Sequence, residues 1–127
     1  MNREISPSSI APPAAAYAHA IVSEATTTML HTAGVVPIAP DGTVPEGLGD
    51  QAKVVWANIK AILEEGGFAI TDIVSMTTFV VAGANMALIM GARDEALQGH
   101  LTASTLVYVP ALARPQWLME VAVVAAR

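Results

Sequence analysis

Two segments near the C-terminus constrain the fold most strongly, because both are apolar along most of their length. Residues 104–109 and 117–125 are dominated by β-branched and other apolar side chains, so both are predicted to be β-strands. The only charged residue in the second segment is Glu120. A strand that is apolar on both faces must be buried on both faces. The sheet that contains these strands therefore needs a cover on each side.

The helices that could cover such a sheet are predicted from the spacing of apolar residues. In residues 50–65 apolar side chains recur three and four apart, with Asp50 as the predicted N-cap and Gly66-Gly67 as the end. Gln51 is predicted to lie on the polar face of this helix. Its predicted apolar stripe is Ala52, Val55, Trp56, Ile59, Ile62 and Leu63. Residues 86–98 form the second predicted helix, whose stripe includes Arg93.

The remaining segments complete one mixed sheet. The predicted strands are residues 17–23, 27–33, 72–81, 104–109 and 117–125, and residues 1–16, rich in Pro, Ala and Ser, are predicted to be an extended arm. The order β-β-α-β-α-β-β predicts an α/β (α+β) fold, in a single domain of residues 1–127, with both helices on one face of the sheet. No element is left for the second face, so we predict that another copy of the chain covers it.

The composition agrees with self-association and excludes several classes of protein. Only 13% of the residues are charged, against about 25% in a typical soluble domain. The absence of cysteine excludes disulfide scaffolds, thiolate metal sites and cysteine nucleophiles. A net charge of -5 with six Lys and Arg residues argues against broad binding to nucleic acid. No apolar run is long enough for a membrane span or a signal segment, so a cytoplasmic location is expected.

Glu120 is the first candidate for chemistry. A carboxylate alone on a buried strand is costly unless it has a partner. The functional interpretation is a general acid or base, or a group that positions water in a cleft. Two structural interpretations stay open. One is a side chain that faces solvent at the edge of a sheet, and the other is an ion pair with Arg93 or Arg114.

The other polar residues carry weaker signals. His31 lies on a predicted strand, where a histidine is more often a core or rim residue than a catalytic one. His19 and His100 are isolated in the sequence, so no metal site is predicted. Ser104 and Thr105 provide hydroxyl groups, but no Gly-x-Ser-x-Gly segment surrounds them to support a catalytic triad.

Several short segments occur in the order and spacing of one protein family. They are Pro12-Pro13 followed by Tyr17, Thr32-Ala33-Gly34 with residues 35–37, Gln51-Ala52 with residues 58–67, residues 72–74 and 78–80, and residues 119–125. By these segments, which extend over nearly the whole chain, the protein resembles the RidA/YjgF family, also called the L-PSP endoribonuclease family. The resemblance implies a chorismate-mutase-like fold and a homotrimer whose sheets line a central barrel.

The resemblance also implies an activity and a site. The best-known members of the family hydrolyse reactive enamines and imines, such as 2-aminoacrylate, to keto acids and ammonia. They need no cofactor, and they bind their small-molecule ligands in clefts between neighbouring subunits. By this resemblance Glu120 is the glutamate that positions the attacking water. The residues that the resemblance assigns to substrate binding are Tyr17, Ala33, Gly34, Ser104, Thr105 and Leu106.

One region departs from the family pattern. Ser104 stands where the family has an arginine that clamps the substrate carboxylate, and Leu106 stands where it often has a cysteine. A serine cannot supply a charged bidentate clamp, so we expect a ligand less anionic than an amino-acid imine, with Arg114 as the candidate substitute for the clamp. Two other functions stay open: a trimer that binds a metabolite without turnover, and an endoribonuclease, which the scarcity of basic residues disfavours.

Overall fold

The computed structural model describes residues 1–127, which form six strands and two α-helices. In chain order these are β1 (Asn2–Ile5), β2 (Ala20–Ser23), β3 (Met29–His31), α1 (Leu48–Glu65), β4 (Ile73–Val81), α2 (Met86–Leu97), β5 (Ala103–Val109) and β6 (Met119–Ala126). A short 3-10 turn, Ile70–Asp72, precedes β4. Neither helix combines the length and the apolar character that crossing a bilayer requires.

The largest element is a mixed four-stranded sheet in the order β3-β6-β4-β5. β4 and β5 are parallel, and α2 provides the crossover that a parallel connection needs. β6 is antiparallel to both β3 and β4, so the last strand of the chain lies inside the sheet. The predicted α+β fold, with a mixed sheet and two helices, is confirmed.

The N-terminal region differs from the prediction. Residues 2–5, assigned to an extended arm, form β1 and pair antiparallel with β2 in a separate two-stranded sheet. A parallel bridge between Ala18 and Ala103 links this region to β5. β1 is mostly polar and has no strand periodicity, so its local sequence does not predict a strand. Its conformation depends instead on the pairing with β2, which is distant in the sequence.

The core lies between the two helices and one face of the four-stranded sheet. The buried residues of α1 are Leu48, Gln51, Ala52, Val55, Trp56, Ile59 and Leu63. The buried residues of α2 are Ile89, Arg93 and Leu97. Two details of α1 differ from the prediction, because the helix begins after Gly47 rather than at Asp50, and Ile62 is 39% exposed.

Gln51 anchors the start of α1, and the prediction that it lies on the polar face is wrong. Its side chain is fully buried. Nε2 donates to the carbonyl oxygens of Pro45 (2.7 Å) and Gln116 (2.8 Å), and Oε1 accepts from the N–H group of Leu118 (2.9 Å). Because these bonds satisfy the amide, its burial is tolerated. They hold α1 against the segment that leads into β6, where Glu120 lies.

The face of the four-stranded sheet opposite the helices is uncovered in a single chain, and we call it the open face. Its side chains alternate along each strand with those of the core. They include Thr77 and Phe79 on β4, Val107 on β5, and Ala122 and Val124 on β6. None of the five is buried, and Val107 is 38% exposed. The second apolar face predicted from the sequence is therefore present, and the chain leaves it partly exposed.

Candidate functional site

Glu120 lies on the open face near the start of β6. Its neighbours Met119 and Val121 are buried in the core, so the alternation of side chains along a strand directs Glu120 to the other side. β6 lies between β3 and β4, so Glu120 is not on an edge strand. The side chain is half-buried and takes part in none of the salt bridges of the chain.

The two arginines that could have paired with Glu120 are engaged elsewhere. Arg93 is buried, and its Nε and Nη2 atoms bond to the Oδ1 atom of Asp94 at 3.2 and 3.0 Å. The guanidinium group of Arg114 stacks over the ring of Trp117, 5.2 Å from its centroid. The structural interpretation of Glu120 as a member of an ion pair with either arginine is therefore wrong. The carboxylate is free to interact with a ligand or with water.

Beside Glu120, the chain after β3 leaves the regular ladder of the sheet. Val35 and Val121 exchange two backbone hydrogen bonds of 2.8 and 3.1 Å. Thr32 donates its N–H group to the carbonyl of Val123 (3.0 Å), while its hydroxyl accepts from the N–H group of Val123 (3.0 Å) and donates to the carbonyl of Ala33 (2.7 Å). A side-chain hydroxyl thus replaces a backbone carbonyl in the ladder.

Gly34 lies in this irregular segment, directly against the carboxylate of Glu120. A Cβ atom built at Gly34 would overlap the Oε2 atom of Glu120 and lie 3.0 Å from its Cδ atom. Glycine permits this close approach, since any side chain at position 34 would force the carboxylate of Glu120 to move. The N–H groups of Ala33 and Gly34 have no acceptor in the chain. Gly34 and Glu120 are therefore in direct contact, and the segment that contains Ala33 and Gly34 offers two backbone N–H groups without an acceptor in the chain.

The predicted binding residues of β5 point in two directions. Ser104 and Leu106 pair with Met76 and Thr78, which are buried on the helix side of the sheet. Thr105 lies between them in sequence, so its side chain projects from the open face, as Glu120 does. β4 separates Thr105 from β6, a spacing of about 10 Å across two strand intervals.

Tyr17 lies at the β5 side of the sheet. Its neighbour Ala18 forms the bridge to Ala103, and the N–H group of Ala18 donates to the carbonyl of Thr102 at 2.9 Å. The Tyr17 hydroxyl accepts from the N–H group of Ala14 at 3.2 Å, and the Tyr17 ring packs edge-to-face on His19. Tyr17 is therefore near the start of β5, where Ser104 also lies.

The predicted site residues thus form two groups at opposite sides of the sheet. One group is Glu120 with Ala33 and Gly34, on the β3–β6 side. The other is Tyr17 with Ser104 and Leu106, on the β5 side. Thr105 faces the same way as Glu120 but lies two strands away. One small ligand cannot contact both groups of the same chain.

The histidines do not join either group as a metal site. His31 is exposed on β3, opposite Val124, and the Nε2 atom of His100 lies 2.7 Å from the carbonyl oxygen of Ile73. No group of three or more His, Cys, Asp or Glu side chains is placed to hold a metal ion.

Thr32 was missed as a structural support of the site, because nothing in the sequence marks which threonine replaces a ladder carbonyl.

The fold is shared with solved structures of Rid proteins. YyfB of Yersinia pestis, described as a protein of unknown function of the conserved Rid family, has a TM-score of 0.89 and 29% identity, covering 99% of this chain and 98% of that chain. Escherichia coli TdcF, solved with bound serine, has a TM-score of 0.73 and 25% identity, covering 98% of both chains. The class of protein is therefore a Rid-like α+β protein.

The family follows from the sequence match. The family model described as Endoribonuclease L-PSP matches residues 8–127, so the chain belongs to this family, as the resemblance predicted. The 2-iminobutanoate/2-iminopropanoate deaminase of Escherichia coli (strain K12) is 42% identical over 53 residues. That match covers 41% of this chain and 41% of the deaminase.

Proposed function

We propose that the protein hydrolyses a small imine or enamine, without a cofactor, in clefts between the subunits of a homotrimer. In the proposed reaction Glu120 accepts a proton from water as the water oxygen bonds to the carbon of the C=N group. Glu120 passes this proton to the imine nitrogen, which gives a carbinolamine. The proton of the new hydroxyl group then moves to the nitrogen through Glu120 as the carbon–nitrogen bond breaks, so that the products are a carbonyl compound and ammonia. The free N–H groups of Ala33 and Gly34 are suited to hold a polar group of the substrate.

The observation that carries this proposal is the unpaired, half-buried carboxylate of Glu120 against the backbone of Gly34. This carboxylate is partly exposed and engages no cation of the chain, so it is available to accept a proton from water or to bind a ligand. The deaminase name of a relative that matches part of the chain supports the reaction class. Bound serine in TdcF supports a ligand of the size of an amino acid.

The separation of the two groups of site residues supports a cleft between copies. Glu120 and Gly34 lie on the β3–β6 side, whereas Tyr17 and Ser104 lie on the β5 side. A second copy packed on the open face would bring its own β5 side toward Glu120. The same packing would bury the apolar side chains that the single chain leaves uncovered.

The test is the release of ammonia by the wild-type protein and by Glu120→Gln from two freshly generated imines. One is 2-iminopropanoate, and the other is a small imine without a carboxylate, because Ser104 offers no charged clamp for a carboxylate. The variant keeps the size of the side chain and removes its ability to accept a proton, so we expect roughly a 100-fold or greater loss of rate. Glu65→Gln is the matched control, because Glu65 is an exposed carboxylate at the end of α1, on the opposite side of the sheet from Glu120, and it should retain the full rate. Equal rates in the wild-type protein and Glu120→Gln would refute the proposal.

A second candidate function is binding of a metabolite without turnover. No arginine of the chain lies at Glu120 to assist catalysis, because Arg93 pairs with Asp94 and Arg114 stacks over Trp117. This observation favours binding without turnover. Calorimetric titration with 2-oxobutanoate and with serine separates the candidates. Tight binding that Glu120→Gln weakens, together with an unchanged rate of imine decay, would favour the binding protein over the hydrolase.

A further inference from the structure

A groove lies between α1 and α2, on the side of the core away from Glu120. The groove has a volume of about 680 Å³. Volumes of roughly 300–1,000 Å³ are typical of sites for small molecules. Most of its lining is apolar or small, including Trp56, Ile70, Leu88 and Gly91. Because the helices separate it from the open face, no residue of the groove belongs to the Glu120 site.

The groove exists because small residues stand where α1 and α2 meet. A Cβ atom built at Gly49, in the first turn of α1, would lie 3.9 Å from the Cδ2 atom of Leu88, in the first turn of α2. Gly91 is one turn further along α2, and a Cβ atom built there would meet nothing within 4 Å. Leu88 is 44% exposed, an apolar side chain directed to solvent at the mouth of the groove. The space is therefore open and apolar.

The charges of the lining are unusual for this chain. The chain has only two lysines, Lys53 and Lys60, and both line the groove. Lys60 lies 3.9 Å from the carboxylate of Glu64, whereas Lys53 takes part in no salt bridge. Glu95 is the one acidic residue of the lining, so the lining carries one more positive than negative charge in a protein of net charge -5. Because Lys60 is paired with Glu64, Lys53 is the cation of the lining that is available to an anion.

We propose that this groove binds a small amphipathic monoanion, an apolar body that carries one carboxylate or similar acid group. The apolar body would lie over Gly91, between Trp56 and Leu88. The acid group would be bound by Lys53, the unpaired cation of the lining. A medium-chain carboxylate such as octanoate is a simple molecule of this class, and the groove of about 680 Å³ has room for its chain.

The test is a titration of the ¹⁵N-labelled protein with octanoate, followed by backbone amide NMR shifts. We expect shifts in α1 and α2 that saturate, and no shifts around Gly34. Octan-1-ol has the same apolar chain without the charge and should bind roughly tenfold more weakly. Lys53→Met should lower the affinity for octanoate to that for octanol. Arg3→Met, which removes a positive charge on β1, is the matched control and should bind octanoate normally.

A blocking variant keeps the proposal falsifiable without risk to the fold. Gly91→Leu places a side chain in the empty part of the groove, and a leucine in a helix interior is more favourable than a glycine. We expect this variant to be at least as thermally stable as the wild-type protein and to lose octanoate binding. Octanoate binding that survives Gly91→Leu, equal affinities for octanoate and octanol, or shifts centred on Gly34 would each overturn the proposal. Saturation by an amphipathic peptide, with none by octanoate, would overturn it in favour of a protein partner.

Discussion

At the scale of single residues, the contact between Glu120 and Gly34 gives the candidate site its geometry. Glu120 has no ion pair, so its orientation depends on what surrounds it. The missing side chain at Gly34 lets the carboxylate lie against the backbone of a segment that offers two N–H groups without an acceptor in the chain. A substrate held by those groups would therefore be in reach of Glu120.

Replacement of Gly34 by alanine tests this contact. The new methyl group would overlap the Oε2 atom of Glu120, so the carboxylate must rotate away from its position. A displacement of about 1 Å can cost roughly 100-fold in rate, so we expect a loss of that order in ammonia release from 2-iminopropanoate. The thermal midpoint should change little, because Gly34 is exposed and has a negative φ.

The matched control for this experiment is Gly47→Ala. Gly47 precedes α1, and a Cβ atom built there would meet nothing within 4 Å. This variant should keep the wild-type rate. A Gly34→Ala protein that is fully active would show that the carboxylate does not need its position against the Gly34 backbone.

At the scale of elements, Gln51 determines how α1 meets the segment before β6. Gln51→Leu keeps the volume close to that of glutamine but leaves the carbonyls of Pro45 and Gln116 and the N–H group of Leu118 without their partner. Each buried polar group that loses its partner costs about 1–3 kcal/mol, so we expect the free energy of unfolding to fall by about 3 kcal/mol. Urea denaturation measures this change.

The control for Gln51→Leu is Gln116→Leu. The Gln116 side chain is exposed, and only its backbone carbonyl bonds to Gln51. The same chemical change at this position should alter the free energy of unfolding by less than about 0.5 kcal/mol. Equal effects of the two substitutions would contradict the role given to the Gln51 amide.

Periodicity predicted the elements whose structure follows from local sequence. Both helices, β4, β5 and β6 lie within a few residues of their predicted positions, because each has an apolar stripe or a β-branched run. β1 was not predicted as a strand, since its pairing with β2 depends on residues far along the chain. Gln51 was assigned to the wrong face because sequence alone does not show which buried groups will supply partners to an amide.

The candidate site was predictable in part, for the same reason. Glu120 stands out as the single charge of an apolar strand, and alternation along β6 directs it away from the core. The opposite directions of Ser104 and Thr105 follow from strand geometry once the core-facing side is known. The contact of Glu120 with Gly34 depends on the irregular pairing at Thr32, which no local pattern encodes.

At the scale of the whole molecule, the open face makes the proposed trimer testable. Val107→Glu places a charge on the β5 side of this face, where a neighbouring copy packed on the face would have to bury it. We expect the mass measured by light scattering after size-exclusion chromatography to fall from three chains to one. If the site needs two copies, ammonia release should be lost at the same time.

The control for the open face is an exposed apolar residue on the helix side. Ile62 is 39% exposed on α1, so Ile62→Glu introduces the same charge away from the proposed interface. This variant should keep the mass and the activity of the wild-type protein. A Val107→Glu protein with an unchanged mass, or a wild-type protein that is monomeric, would contradict the proposed assembly.

The position of β6 has a consequence for how the protein is made. β6 lies between β3 and β4, yet it is synthesised after every other strand. During translation β3 and β4 have no partner along the edges that β6 will occupy, so the sheet closes only when the last strand leaves the ribosome. Glu120 arrives on that same strand. Completion of the sheet and arrival of the Glu120 carboxylate are therefore a single event, and a nascent chain stopped before β6 has neither.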